Sequence, residues 1–232
     1  VRLVDVLLVP VLLVEGLHVR RVTPRLPEAA RREGLVPGAE PALRIGVFGD
    51  SVAAGIGVAD NADGLAGSIA EELSGTSGRA VGWQVAARGG VSSKTALPLV
   101  ADLDGVDLVF VSMGINDLLE FRGLRAWRRD LTTLVRALPG RVVLAGMPPL
   151  HRFPSLPQPL RWVFAARARL MDAVMAQVAT ATGAVHAPVH ADDVTPEFFA
   201  ADRFHPSAHG CRALARELVS ALRLAAEPPR RR

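Results

Sequence analysis

From Arg44 onward the chain alternates short apolar runs with longer stretches in which apolar residues return every three or four positions. Ile45, Val47 and Phe48 form one run, closed by Gly49; Val81–Ala87, Leu108–Met113, Arg141–Ala145 and Ala184–Val189 are four more. Apolar runs of this length, bounded by turn residues, read as buried strands. Leu108–Met113 is the clearest, because its Leu-Val-Phe-Val core carries no charge and needs cover on both faces. Helix-period segments lie between the runs. They are expected at 62–74, where Leu65, Ile69 and Leu73 are four apart, at 94–103, and at 123–138, where Trp127, Leu131, Leu134, Val135 and Leu138 line one face of an arginine-rich stretch. A long helix is expected over 160–182. A last one opens at Pro206, since proline is well tolerated in a first turn, and runs to Leu224.

Strands separated by helices pair in parallel and bury both faces of the sheet, which predicts an α/β protein with a three-layer α/β/α sandwich. Five strands fit the flavodoxin-like parallel order 2-1-3-4-5. In such a sheet ligands gather outside the carboxyl ends of the strands, where the order reverses, here between strands one and three.

The first 43 residues are patterned differently. Val6–Val14 is an apolar run interrupted by Pro10, too short for the ~20 residues that span a bilayer. Arg20, Arg21 and Arg25 follow it. The run reads either as a shortened signal or interfacial helix held by apolar burial and cationic flanks, or as a short helix packed on the domain. Residues 23–43 read as a linker, because Pro24, Pro27, Pro37, Pro41, Gly34 and Gly38 break any long period. The expected division is therefore 1–43 apolar segment and proline-rich linker, 44–224 folded domain, and 225–232 basic tail.

Composition narrows the function classes. Half of the 232 residues are hydrophobic, so a substantial core can form. A single cysteine, Cys211, excludes a disulfide framework and multi-cysteine metal sites, and reads as a small core residue. The net charge of +4 comes from 27 basic and 23 acidic residues, with arginines concentrated toward the ends. No basic stripe crosses the folded part and tyrosine is absent, so no nucleic-acid partner is expected. Peripheral contact with a membrane through the N-terminal segment stays open, and with it the compartment: cytoplasm, membrane surface, or outside the cell if that segment is a shortened signal.

Chemistry-bearing residues collect at the predicted strand ends. Strand one ends Gly49-Asp50-Ser51, where a serine at a strand-to-helix turn sits among outward-pointing N–H groups. The same tripeptide would also make a good helix cap. Strand two ends in the small-residue loop Arg88-Gly89-Gly90-Val91-Ser92-Ser93, able to bring backbone N–H groups close to a ligand or simply to turn. Strand three ends Gly114-Ile115-Asn116-Asp117, where the Asn116 amide is either a neutral donor across the crevice or part of an Asx-turn. Near the end of the chain stands Asp202-Arg203-Phe204-His205-Pro206. Serine becomes nucleophilic when a base takes its proton, and histidine has the right intrinsic basicity. Asp202, three residues before His205, can hold the other ring nitrogen.

On these residues the sequence resembles the SGNH hydrolases, also called GDSL esterases or lipases, over about residues 44–222. The resemblance implies the flavodoxin-like sandwich, Ser51 as nucleophile, and Asp202 and His205 as its triad partners. It implies an oxyanion hole from the Ser51 N–H, the Asn116 amide and the second-block loop, with Gly49, Asp50 and Gly114 in support. The second block departs from the family pattern Gly-Val-Ser-Gly-x-Thr: here it reads Gly90-Val91-Ser92-Ser93-Lys94-Thr95. The oxyanion glycine thus falls on Ser93, and Gly90 is the alternative source of close approach. The expected function is a serine esterase acting on small or medium acyl esters as its small-molecule substrate, a chemistry that calls for no metal and no cofactor. A lysophospholipase or thioesterase of the same family, or a non-catalytic acyl- or glycan-binding domain, are the alternatives. His186 and His190, with Asp192 and Asp193 nearby, raise a metallohydrolase as a rival. The proline-rich stretch 147–160, with Trp162 and Phe164, is expected either to wall the acyl or alcohol site or to be packed structure.

Overall fold

The computed structural model describes residues 10–12, 14–18, 21, 24–190, 192 and 194–225. The Val6–Val14 run therefore lies largely outside the described residues, as do Asp193 and the basic tail after Ala225.

The five parallel strands of the sequence reading are present. They are β2 (Ala39–Gly49), β3 (Arg79–Ala87), β4 (Leu108–Ser112), β5 (Arg141–Ala145) and β6 (Val185–Ala187). A further strand, β1 (Glu33–Val36), pairs antiparallel with β3, so the sheet has six strands in the order β1-β3-β2-β4-β5-β6. Without its edge strand this is the expected 2-1-3-4-5.

The helices are α1 (Leu65–Ser77), α2 (Ile115–Leu119), α3 (Leu124–Ala137), α4 (Leu160–Thr182) and α5 (Ala208–Leu224). Period-two alternation sends side chains from each central strand to both layers. Ile45, Val47, Phe110 and Val143 pack with α1 and α5, whereas Phe48, Val109, Val111, Val142 and Leu144 pack with α3 and α4. Trp127 of α3 is fully buried in the second layer, and its indole N–H donates to Met171 O at 3.2 Å, joining α3 to α4. Burying each such large apolar side chain contributes roughly 1.5–3 kcal/mol.

Four expectations are corrected. The stretch expected as a linker, 23–43, instead holds β1 and the first residues of β2, and residues 28–32 are bonded to the domain. The helix expected at 94–103 is a 3-10 turn, Leu97–Asp102, opened by Pro98 and with no buried residue to anchor a longer helix. β6 stops at Ala187 because Pro188 follows and cannot donate to a ladder. Finally, α5 begins after Pro206: Ser207 is its N-cap, with the hydroxyl accepting from the Gly210 N–H at 3.2 Å.

Candidate active site

β2 lies between β3 and β4, so the carboxyl ends of these three strands surround one point. At the end of β2, Gly49 adopts φ +147°, and a Cβ there would fall 1.9 Å from Ser112 O on β4. Only glycine fits this close approach. The chain then turns at once: the Ala54 N–H donates to Asp50 O at 2.9 Å and the Ile56 N–H to Ser51 O at 2.9 Å. Ser51 thus stands at the start of a helical turn, and among the described residues its own N–H has no protein acceptor.

The loop before α5 reaches the same point. Arg203 takes φ +57°, which folds the chain back so that the N–H groups of Phe204 and His205 both donate to Asp202 Oδ1 at 3.0 Å. Asp202 Oδ2 stands 2.6 Å from His205 Nδ1, and His205 Nε2 stands 2.9 Å from Ser51 Oγ. Burial pushes the Asp202 carboxyl up, but the bonds from the His205 ring and the two backbone N–H groups outweigh it and hold the group below its usual range. An ionised carboxylate only accepts, so Nδ1 carries the proton and Nε2 is left to accept the Ser51 hydroxyl. The structure brings Ser51, His205 and Asp202 into one bonded line.

Asn116 lies in α2, beside the end of β4. Its amide donates to Val91 O at 2.8 Å, which ties the second-block loop to the third and leaves the other amide hydrogen for a ligand. Gly114 adopts φ +128°, and a Cβ there would fall 2.6 Å from Met147 Sδ. Asp50 is buried below Ser51. Burial pushes its carboxyl up to about 7, opposed by N–H donation from Val52, by His205 and by N–H donation from Gly114, while Asp117 adds to the rise.

Ser93 corrects an expectation. Its N–H donates to Asp117 Oδ2 at 2.9 Å and its hydroxyl to Asp117 Oδ1 at 2.6 Å, all three groups being buried. The N–H read as an oxyanion donor is therefore taken by a carboxylate. Burial raises the Asp117 carboxyl, and the two Ser93 bonds and Arg122 oppose the rise. Arg122 also pairs with Asp130. The sequence marked Asn116 as a donor but assigned no role to its neighbour Asp117, which fastens this loop. Gly90 sits in open, exposed backbone at φ +82°.

A cavity of about 60 Å³ adjoins Ser51 and His205, lined mostly by apolar side chains including Met113, Ile115, Phe153 and Phe204. Phe153 stacks edge-on against Phe199 and Phe204, and Phe204 against the His205 ring, with centroids 5.1–5.5 Å apart. These phenylalanines were not singled out from sequence, although the Phe198-Phe199 pair and Phe204 beside His205 were visible signals. Of the proline-rich stretch, Pro148 and Phe153 do line the cavity. Phe164 is core, and Trp162 is 65% exposed. His186 bonds Asp172 at 3.0 Å and His190 pairs with Glu217, so the two histidines have separate partners.

A serine hydroxyl held by a histidine of fixed tautomer, next to free N–H donors and an apolar cavity, is equipped to attack a carbonyl carbon. Comparison with known proteins agrees. The sequence pattern of the GDSL-like lipase/acylhydrolase family matches residues 47–213. A GDSL-like esterase of Mycobacterium tuberculosis is 30% identical over 191 residues, covering 76% of this chain and 60% of that protein. The chain thus spans less than two thirds of that relative. Among solved structures, a lipase/acylhydrolase from Enterococcus faecalis superposes with a TM-score of 0.63 at 23% identity, over 82% of this chain and all of that one. The esterase EstA from Pseudoalteromonas sp., in a structure inhibited by monoethylphosphonate, gives 0.61 at 17% identity over 78% and 97%.

Proposed function

We propose that this chain, which belongs to the GDSL-like lipase/acylhydrolase family, hydrolyses carboxylic esters of short acyl groups through Ser51. The line from Ser51 Oγ to His205 Nε2 at 2.9 Å, continued to Asp202 at 2.6 Å, carries the proposal. Ser51 Oγ bonds to the carbonyl carbon while its proton passes to His205 Nε2 and the carbonyl electron pair moves onto oxygen. The Ser51 N–H and the free hydrogen of the Asn116 amide donate to that oxyanion. The tetrahedral species collapses, the carbon–oxygen bond to the alcohol breaks, and His205 returns its proton to the leaving oxygen. Water then repeats the sequence on the acyl-serine. Asp202 stays ionised throughout, orienting the ring and stabilising its charged form.

The cavity supports a short acyl group. At about 60 Å³ it is far smaller than the roughly 300–1,000 Å³ of pockets that engulf drug-sized ligands. A phosphonate ester is expected to label Ser51 in the parent protein and leave Ser51→Ala unlabelled. A series of nitrophenyl esters should show kcat/KM falling as the acyl chain lengthens. Folded protein that hydrolyses these esters with Ser51 unlabelled overturns the scheme; folded protein that does neither leaves the binding-domain reading.

A second reading, a lipid ester met at a membrane surface, is favoured by one surface. Residues 10–12 and 14–18 are helical, and Glu15 accepts the Leu160 N–H at 2.8 Å, which lays the helix against the start of α4. Leu12 packs on the core, while Val11, Val14 and Leu17 are exposed at 44%, 67% and 67%; Trp162, two residues beyond Leu160, is exposed as well. Arg21 and Arg25, both exposed, follow the helix. An apolar helical face with cationic flanks fits an anionic lipid interface. Among the described residues no helix is long and apolar enough to cross a membrane. Co-sedimentation with phosphatidylglycerol vesicles, lost in Val14→Glu/Leu17→Glu, supports this reading; equal sedimentation of parent and variant removes it.

A further inference from the structure

The loop after β3 is held along its whole length. The Arg88 N–H donates to Gly49 O at 3.2 Å, Gly89 N–H to Glu28 Oε1 at 2.7 Å, and Val91 N–H to Arg88 O at 3.4 Å. The Ser92 N–H donates to Thr95 Oγ1 at 3.1 Å and the Ser93 N–H to Asp117 at 2.9 Å. Within 88–93, Gly90 alone has an N–H with no protein acceptor among the described residues. Its backbone at φ +82° borders open space, and the bond from Arg88 to Gly49 places the loop beside the turn that carries Ser51.

The group that fixes the peptide before Gly90 comes from the stretch ahead of β1. Glu28 Oε2 pairs with Arg32 at 2.6 Å, and Arg32 in turn donates to Ala87 O at 2.5 Å. The Val85 N–H donates to Arg32 O at 2.7 Å. The same stretch grips the Ser51 turn: the Ala29 N–H donates to Ala54 O at 3.1 Å and the Asn61 amide to Arg31 O at 2.7 Å. Ala29 is buried so tightly that a Cβ on Gly55 would lie 2.6 Å from its own. Residues 28–32 therefore form a strap across the first two strand-end loops. It is pinned at Glu28 to the second and at Ala29 and Arg31 to the first.

We propose that Glu28 is a positioning residue of the active site: by holding the Gly89 N–H it orients the next peptide so that the Gly90 N–H serves as the second-block oxyanion donor in place of Ser93. This rests on the Ser51 reading above. It extends that reading by assigning a donor the family pattern would put at another residue, and by giving catalytic consequence to a segment outside residues 47–213.

The test compares Glu28→Ala, Glu28→Asp and Glu28→Gln in the full chain, with Arg31→Ala as a control that breaks an exposed 3.3 Å pair with Asp60 on the same strap. Alanine removes the acceptor, aspartate withdraws it by one methylene while keeping the charge, and glutamine keeps one oxygen for the Gly89 N–H while giving up the exposed bond to Arg32. With a short-chain nitrophenyl ester, Glu28→Ala and Glu28→Asp should lose about ten- to a hundredfold in kcat with little change in KM, the range expected when an oxyanion donor is misplaced. Glu28→Gln and Arg31→Ala should stay near the parent. An alkyl boronic acid supplies a readout that packing alone does not move. Boron takes up Ser51 Oγ, the displaced proton goes to His205, and the resulting tetrahedral anion fills the oxyanion site. Its affinity should fall in Glu28→Ala and Glu28→Asp by the same factor as kcat. If Glu28→Ala does not fold, Glu28→Asp carries the comparison. Parent-like kcat and boronate affinity in the aspartate variant overturn the proposal, as does equal loss in Arg31→Ala or failure of glutamine to restore activity. A parent protein that phosphonate does not label at Ser51 instead overturns the reading on which the proposal rests.

Discussion

Replacing Asp50 by asparagine tests whether the carboxyl beneath the nucleophile keeps its proton. Asp50 is 2% exposed, and burial pushes it from an ordinary 3.8 up to about 7, against the N–H groups and His205 that favour its charge. Between those two values the folded protein holds a proton that the unfolded chain has released, so stability falls as pH rises. The contribution is fully present below about pH 4 and is lost as the pH climbs through the folded value of about 7. At about 1.36 kcal/mol for each tenfold change in acidity, the whole span corresponds to ~4 kcal/mol. The amide in Asp50→Asn stays neutral at every pH and lacks this dependence. Urea unfolding of parent and variant across the range measures the difference, and groups titrating alike in both cancel. With a slope of ~2–3 kcal/mol per molar, the variant's midpoint should gain about 1–2 M on the parent between about pH 4 and pH 8. A midpoint difference that does not change with pH refutes the reasoning, because Asp50 would then ionise as readily folded as unfolded.

Three further outcomes follow from the same geometry. Asn116→Ala removes one oxyanion donor and the tie to Val91 O; kcat should fall on the order of a hundredfold or more in steady-state ester hydrolysis, with the circular dichroism spectrum unchanged. Asp202→Asn can donate to Nδ1 and so hold the wrong tautomer against Ser51; kcat should fall on the order of 10³–10⁴-fold while phosphonate labelling slows in parallel. Ser93→Ala keeps the N–H bond to Asp117 but leaves a buried carboxylate oxygen short of its 2.6 Å hydroxyl; thermal unfolding should report a loss of about 1–3 kcal/mol with kcat little altered. A Ser93→Ala variant that kept its stability but lost activity would return Ser93 to the oxyanion site.

What the sequence disclosed depended on whether a contact leaves a local trace. β4 and β5 are buried on both faces, so solvation forbids charge in their interiors and the runs stand out. β1 and the start of β2 are exposed or half-buried, carry Glu33, Glu40 and Pro41, and belong to the rim of the sheet, where proline and charge are tolerated. Their composition resembles a linker because prolines report the absence of helix, not the absence of order. Ser51 and Asn116 left a trace because each follows directly on the end of a strand, and Asp202 and His205 because they stand three apart in one loop and bond each other. The bond from Glu28 to Gly89 joins residues 61 apart and has no counterpart in any local pattern.

The serine at position 93 brings these threads together. A glycine at an oxyanion loop is needed where the backbone must take positive φ or approach a ligand closely. Among the described non-glycine residues only Phe121 and Arg203 have positive φ, so Ser93 lies in ordinary backbone. There a side chain is allowed, and its hydroxyl adds a second bond to a carboxylate that burial would otherwise leave short of donors. The hydroxyl thus strengthens the fastening between the second and third loops, while the Asp117 carboxylate takes the residue 93 N–H. An oxyanion site deprived of that donor needs another, and the free N–H in the loop belongs to Gly90, whose peptide is set by a carboxylate reaching in from the strap. The change at Ser93 and the presence of Glu28 are then two halves of one arrangement. Restoring glycine at 93 in a Glu28→Ala background should recover little activity, because the Asp117 carboxylate still captures the residue 93 N–H, whereas Glu28→Gln with Ser93 intact should recover most of it.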